Sequence, residues 1–290
     1  MRYTIHMLEF EILARGLFRP DQLEITYNPA LRMPLPPTVR EWMEQRWQQK
    51  LAAARAKGTP LYDAHLFRLI STATRPEGML HLVLGDGSYK EYVTTREAAF
   101  SAGRAREELG NVLAVCSVVE TSDGYILLDK RQGVDGYAGR YHVIGGFFER
   151  DLDIVASPDE PTTGTGSAVA IKPDPFRAVR REIREETGIQ QADIREQYCL
   201  GVVYDLTMPH GEMCFLTRLR IPLSEAQTRV PEEQEIQQLR SLHVTRESLT
   251  DFLRTHHGNI SPTGEPNLLL YGALLYGEEW FEEMIDYMKS

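Results

Sequence analysis

The sequence is poor in cysteine, in net positive charge and in long apolar runs, and each shortage closes off a class of protein. Cys116, Cys199 and Cys214 are its three cysteines in 290 residues. The count is odd and the spacing wide, which excludes a disulfide scaffold. Each lies in an apolar, strand-like run that suits a reduced, buried side chain. No apolar stretch approaches the roughly 20 residues of a membrane-spanning helix. Asp and Glu outnumber Lys and Arg by 42 to 32, a formal charge of −10, so nonspecific nucleic-acid binding through a basic face is not expected. An acidic chain can still hold a phosphorylated small molecule when a divalent cation stands between them. The first residues, MRYTIHMLEFEILARG, contain Glu9 and Glu11 and lack the apolar core of a signal peptide, so a cytoplasmic protein without a membrane partner is the expectation. At 42% hydrophobic and 26% charged residues the composition is that of an ordinary globular protein, and the length suggests two units.

Residues 1–108 read as an α+β unit. Strand-like content marks 2–13 and 23–27. Prolines at 29, 34, 36 and 37 then stiffen an extended loop. A helix is expected over 38–57, rich in strong helix formers and ending at Gly58. Trp42 and Trp47 fall near one side of it, as packing residues. A hairpin is expected from 65–74 and 79–84, and a polar connecting helix over 95–109.

The character changes in the second unit, 109–290. NVLAVCSVVE is a buried strand, SDG a turn and YILLDKR its hairpin partner. YHVIGG ends a short strand on two glycines. Residues 150–172 are rich in Pro, Gly, Ser and Thr and read as a mobile insertion, either a lid over the substrate or a surface loop. Asp174-Pro175 opens a helix that stops at Gly188. Strands at 197–206, 212–221 and 239–244, helices at 247–255 and 267–276, and an acidic tail complete the chain.

The chemistry concentrates in Arg181-Glu182-Ile183-Arg184-Glu185-Glu186-Thr187-Gly188-Ile189. On a helix Glu182 lies beside Glu185 and Glu186, while Val179 and Ile183 face the core. Like charges at this spacing repel, and a hard divalent cation such as Mg²⁺, which takes carboxylate oxygens, gives such a cluster a purpose. A solvated face neutralised by Arg177, Arg180, Arg181 and Arg184 is the alternative for an arbitrary helix. The Gly-Gly strand end, the loop and the capped helix together favour the cation.

These residues resemble the Nudix hydrolase superfamily, whose box runs Gly, five residues, Glu, seven residues, then Arg-Glu-aliphatic-any-Glu-Glu-any-Gly-aliphatic. The second half matches from Arg181 to Ile189, and Gly145-Gly146 with Phe147-Phe148-Glu149 look like its opening. The next carboxylate of the box falls at Leu152 counted forward, or at Pro173 counted back, and neither is acidic. About 21 extra residues separate the halves.

The resemblance implies an α/β fold, a Nudix α/β/α sandwich preceded by the smaller α+β domain. It implies Mg²⁺, or Mn²⁺, held by Glu182, Glu185, Glu186 and the backbone of Gly145, with Arg181 orienting the acids. It assigns the activation of water to a helical glutamate or to a loop carboxylate: Glu149, Glu212 or Glu235, with Glu212 ranked first because it opens a strand. Arg131 and Arg140, with Lys130, are candidates for the phosphates of a nucleoside diphosphate. Segments 28–36, 61–69, 88–94 and the late helix NLLLYGALLYG look like the branch of the family that splits UDP-glucose or UDP-galactose to UMP and hexose 1-phosphate. ADP-ribose or another nucleoside diphosphate derivative is the alternative substrate. A module that senses a nucleotide without hydrolysing it is the rival class. The N-terminal domain is left either to complete the base pocket or to mediate a homodimer.

Overall fold

Alternation along two central strands decides how the layers stack. The computed structural model describes residues 8–131, 136–156, 171–232 and 239–290. Its strands are β1 (Phe10–Phe18), β2 (Leu23–Tyr27), β3 (His65–Thr74), β4 (Leu80–Ser88), β5 (Leu113–Glu120), β6 (Tyr125–Lys130), β7 (Tyr141–His142), β8 (Ile144–Phe147), β9 (Ile154–Ala156), β10 (Ile171–Pro173), β11 (Ile194–Asp205), β12 (His210–Leu219) and β13 (Leu239–His243). Its helices are α1 (Pro37–Lys57), α2 (Tyr89–Thr95), α3 (Ala98–Ser101), α4 (Pro175–Thr187), α5 (Leu223–Ala226), α6 (Arg246–His256), α7 (Gly264–Tyr276) and α8 (Glu278–Lys289).

The large sheet runs β1-β11-β12-β5-β6-β13, with β8 added to β5 and β7 to β6. β12 and β5 are parallel. Successive side chains of a strand point to opposite faces. Val115, Val119, Met213 and Phe215 join a core with Phe176, Val179 and Ile183 of α4. Cys116, Val118, Cys214 and Leu216 pack on the other side against Leu268 and Leu269 of α7, Trp280 and Met284 of α8, and Leu253 of α6. The sheet is therefore sandwiched between helices, an α/β/α arrangement. All three cysteines are free and buried. No helix among the described residues is long and apolar enough to cross a membrane.

A three-stranded sheet, β2-β4-β3, stands beside it. Leu80, Leu82, Leu84 and Phe67 of that sheet belong to the same core as α4. The seam is also hydrogen-bonded: the Phe67 amide donates to the Phe148 carbonyl at 3.1 Å and the Leu69 amide to the Asn111 carbonyl at 2.9 Å. β1, although it precedes this sheet in the chain, is antiparallel to β11 in the large one. Trp47 is buried and packs against Tyr89, and Trp42 against Phe100.

Two sequence expectations are corrected here. The connector over 95–109 is not one helix. It breaks at Gly103, which has φ +75°, and Arg68 takes the carbonyls of Glu107 and Leu109. The acidic tail is helix α8, whose Trp280, Phe281, Met284 and Met288 form a buried stripe at helical spacing. The two ends of the expected loop over 150–172 pair as a short ribbon, β9 with β10; residues 157–170 lie outside the described ones.

Candidate active site

Helix α4 is fixed at both ends by its own sequence. Asp174 caps it by accepting the Arg177 amide at 3.0 Å, Pro175 is its first residue, and Gly188 ends it at φ +74°. Buried Phe176, Val179 and Ile183 hold one face on the sheet. The adjacent face carries Arg181, Glu182, Glu185 and Glu186 past the strand β8.

Arg181 is the hub. Its Nε and Nη2 donate to the two oxygens of Asp153 at 3.0 and 2.8 Å, a bidentate pair. Nη1 donates to Glu182 at 2.8 Å and to Glu185 at 2.9 Å, and Nη2 also donates to the Phe147 carbonyl at 2.9 Å. Asp153 is wholly buried and accepts the Glu149 amide at 2.9 Å. Sequence reasoning missed this residue. It stands one position after Leu152, where the sequence resemblance places an acid, and it pairs with Arg181. The only signal in the sequence was an acid one place out of register.

Burial pushes the Glu182 carboxyl up to about 8, with Glu185 and Asp153 adding to the push and Arg181 opposing it. Burial, then Glu182 and Asp129, holds Glu186 well above the ordinary carboxylate range, although the Gly145 amide donates to it at 3.1 Å. Burial also raises Glu149, which feels Arg181, Asp153 and Glu185. The structure therefore gathers four carboxylates (Glu149, Asp153, Glu182 and Glu185) about one clamped guanidinium, with Glu186 next to Glu182.

The glycine pair fits closely against this cluster, and its two members should respond differently to alanine. A Cβ at Gly146 would sit 2.5 Å from the Glu182 carboxylate, the end of a flexible side chain. A Cβ at Gly145 would overlap the Val115 carbonyl in the neighbouring strand. Gly146→Ala is expected to fold normally and lose activity as Glu182 is displaced; Gly145→Ala is expected to lower the melting temperature itself. Thermal unfolding and turnover of both variants check this. Equal melting losses in the two would contradict it.

The remaining sequence candidates divide. Arg131 lies within electrostatic reach of Glu186 and donates to the Gly136 carbonyl at 2.9 Å. Arg140 is not brought to the acids: it is bidentate on Glu9, 131 residues away in sequence. Lys130 lies over the Tyr141 ring. Glu235 is outside the described residues. Glu212, ranked first for the loop role, points to the α7 side of the sheet with Cys214. There it lies 3.4 Å from His210 and 3.7 Å from His142. Glu149 is the loop carboxylate that does stand beside the cluster. The N-terminal sheet grips the same loop, through Arg150 on Asp86 at 2.9 Å and His65 on Asp151 at 2.8 Å.

The Glu212 cluster sets a pH dependence of stability. Burial opposes the charges, yet His210 and His142 bring Glu212 down to about 2, and Tyr92, Glu212 and Asp205 hold His210 up to about 10. Burial takes His142 down to about 4. The stabilisation from protonated His210 is whole below its ordinary value of 6.5 and is lost as pH rises towards 10. That from ionised Glu212 is whole above 4.5 and is lost towards 2. Neutral His142 adds a loss as pH falls from 6.5 towards 4. The melting temperature is expected to peak near neutrality, and Glu212→Gln to flatten the alkaline limb. An unchanged alkaline limb in that variant, followed by calorimetry, would contradict the pairing.

The donor set suits a hard divalent cation in kind and in charge: carboxylate oxygens, held close enough to raise each other's proton affinity. Among the described residues no three such side chains stand as a finished metal centre, and Arg181 donates to both Glu182 and Glu185.

No protein-family model and no curated protein sequence matches the chain. Among solved structures, the Nudix domain of Shewanella oneidensis NrtR, in complex with ADP-ribose, is similar over 62% of this chain and 98% of that one, at 17% identity and TM-score 0.39. A bifunctional NMN adenylyltransferase/ADP-ribose pyrophosphatase from Francisella tularensis, with AMP and a manganese ion, is similar over 64% of this chain and 46% of that one, at 12% identity and TM-score 0.38. The MutT protein of Methanosarcina mazei Go1 is similar over 61% of this chain and 95% of that one, at 18% identity and TM-score 0.30.

Proposed function

We propose that this protein hydrolyses a nucleoside diphosphate derivative with the help of Mg²⁺ or Mn²⁺, in the manner of the Nudix hydrolases its sequence resembles. Its substrates are UDP-glucose and UDP-galactose, split to UMP and hexose 1-phosphate. One observation carries the hydrolase reading: on one rigid helix Glu182 and Glu185 are held by Arg181, itself clamped by buried Asp153, and Glu186 beside them accepts the Gly145 amide. A module that only senses nucleotides has no use for so repulsive a cluster. The lack of an acid at Leu152 or Pro173 favours that rival; the pairing of Asp153 with Arg181 supports the enzyme instead. The choice of UDP-hexose is supported by the sequence segments 28–36, 61–69 and 88–94.

Glu182, Glu185 and Glu186 would hold the cation, with the Gly145 carbonyl as a further oxygen. A bound divalent cation neutralises diphosphate charge and acidifies water. Arg181 fixes Glu182 and Glu185, so their positions need no reorganisation during the reaction. Arg131 draws the phosphate oxygens towards Glu186. Glu149, with its proton affinity raised by burial, accepts the proton of the attacking water. The three-stranded sheet β2-β4-β3 holds the Glu149 loop through Asp86 and His65.

Incubation with UDP-glucose, UDP-galactose, ADP-ribose and NADH, with and without EDTA, tests both levels. Metal-dependent release of UMP from the UDP-hexoses is expected. Turnover of ADP-ribose well above UDP-glucose would overturn the substrate, and no metal-dependent cleavage of any of them would overturn the enzyme.

A further inference from the structure

A cavity of about 260 Å³ lies at the seam between β3 and the β1–β11 edge of the large sheet; its wall includes Arg68, Thr72, Arg106, Asn111 and Tyr204, and also the acidic Glu107. Four polar atoms of these residues are buried without a hydrogen-bond partner: Arg68 Nε, Thr72 Oγ1, Asn111 Oδ1 and the Tyr204 hydroxyl. Arg68, Asn111 and Tyr204 are each more than nine-tenths buried, at 5%, 6% and 2% exposure. Orphaned polar atoms in a folded interior are uncommon and each costs free energy. Four around one space point to something that fills it.

The chemistry of the wall says what. Arg68 gives Nη2 to the carbonyls of Glu107 and Leu109, at 2.7 and 3.3 Å. Those groups are neutral, and among the described residues no carboxylate pairs directly with this guanidinium. Glu91 and Glu107 lie within electrostatic reach of it, but without a direct ion pair a buried charge is costly, and an anion in the cavity would supply that contact. Arg68 Nε, the Tyr204 hydroxyl and the Thr72 hydroxyl are all able to donate to such an anion. Arg106 adds positive charge at the wall, 3.9 Å from the centre of the Tyr204 ring, although Glu11 pairs with it. Asn111 makes the opposite demand. Its Nδ2 is occupied by the Leu69 carbonyl, so Oδ1 needs a donor from the ligand. At roughly 30 Å³ per water the space equals about nine waters, and it falls below the roughly 300 Å³ at which pockets for drug-sized ligands begin. A nucleoside diphosphate is too large.

We propose that this cavity binds a small hydroxylated oxyanion of the sugar-phosphate class, with the anionic group on Arg68 and Tyr204 and a hydroxyl donating to Asn111. The site is separate from the acid cluster and needs no divalent cation.

The test is isothermal titration of the full chain in EDTA, which silences cation-dependent binding at the acid cluster. The probes are glucose 1-phosphate, inorganic phosphate and glucose. Saturable binding of glucose 1-phosphate, tighter than phosphate and with glucose failing to bind, is expected. Tyr204→Phe keeps the ring beside Arg106 and removes only the orphaned hydroxyl. It is expected to keep the unliganded melting temperature and to weaken glucose 1-phosphate at least tenfold, and Thr72→Val to weaken it in the same direction. Arg68→Lys is expected to weaken both anions. Absence of saturable binding by either anion would overturn the proposal and leave a water-filled cavity. So would binding that is equal in the wild type, Tyr204→Phe and Arg68→Lys. Equal affinity for phosphate and glucose 1-phosphate would overturn the hydroxyl contact to Asn111.

Discussion

Asp153→Asn is expected to destabilise the fold by about 3–5 kcal/mol, the usual cost of breaking a buried ion pair, and to slow turnover by about 10–100-fold. Asp153 is wholly buried and bidentate on Arg181, and it also accepts the Glu149 amide. An asparagine can keep only part of this. Its neutral amide leaves the guanidinium with less opposing charge, and its NH2 group faces donors from Arg181 or from Glu149. Arg181 then no longer sets Glu182 and Glu185 at fixed positions, so the loss reaches the chemistry as well as the fold. Urea unfolding and turnover at fixed Mg²⁺ measure the two effects. A stability loss within about 0.5 kcal/mol, as at an ordinary surface position, would show that the clamp is dispensable.

Glu182→Gln and Glu186→Gln are expected to act in opposite directions on activity and stability. Each removes a carboxylate from the proposed cation site, and turnover should fall by about 10³-fold, roughly 4 kcal/mol of lost barrier reduction. Each also relieves a crowded negative charge. The Glu182 carboxyl is raised from 4.5 to about 8, so its penalty to the fold appears as pH rises above 4.5 and stops growing above about 8. Near neutral pH that penalty is on the order of 3 kcal/mol, and Glu182→Gln should raise the melting temperature of the metal-free protein. A destabilised metal-free Gln variant would mean that the carboxylate serves the fold and not a ligand.

What the sequence made legible was local. Helix α4 carries its own cap, its first-turn proline and its terminal glycine, and the acids on it follow from helical spacing alone. The hairpins and strands β2, β3 and β6 announce themselves by alternation and turn residues. Contacts across long stretches of chain were not legible. Glu9 takes Arg140 from 131 residues away, and no local pattern indicates that. β1 reads as a strand, but its alternation does not say which of two sheets it joins. Asp153 was hidden by register: it stands one place past Leu152, where the resemblance led one to look for an acid, and only the fold shows that Arg181 reaches it. Two misses had a readable signal. Met213 and Phe215 face α4, so Glu212 and Cys214 must face the other side, which separates Glu212 from the acids. Trp280, Met284 and Met288 repeat every fourth residue, the mark of a packed helix within an acidic tail.

The central claim is that the acids of α4 bind a divalent cation, and the most direct measurement is a Mn²⁺ titration followed by electron paramagnetic resonance. The wild-type chain is expected to take up Mn²⁺ and release it to excess Mg²⁺, while a protein carrying both Glu182→Gln and Glu186→Gln melts, metal-free, above the wild type and takes up none at that site. Equal Mn²⁺ uptake by the two proteins would contradict the claim.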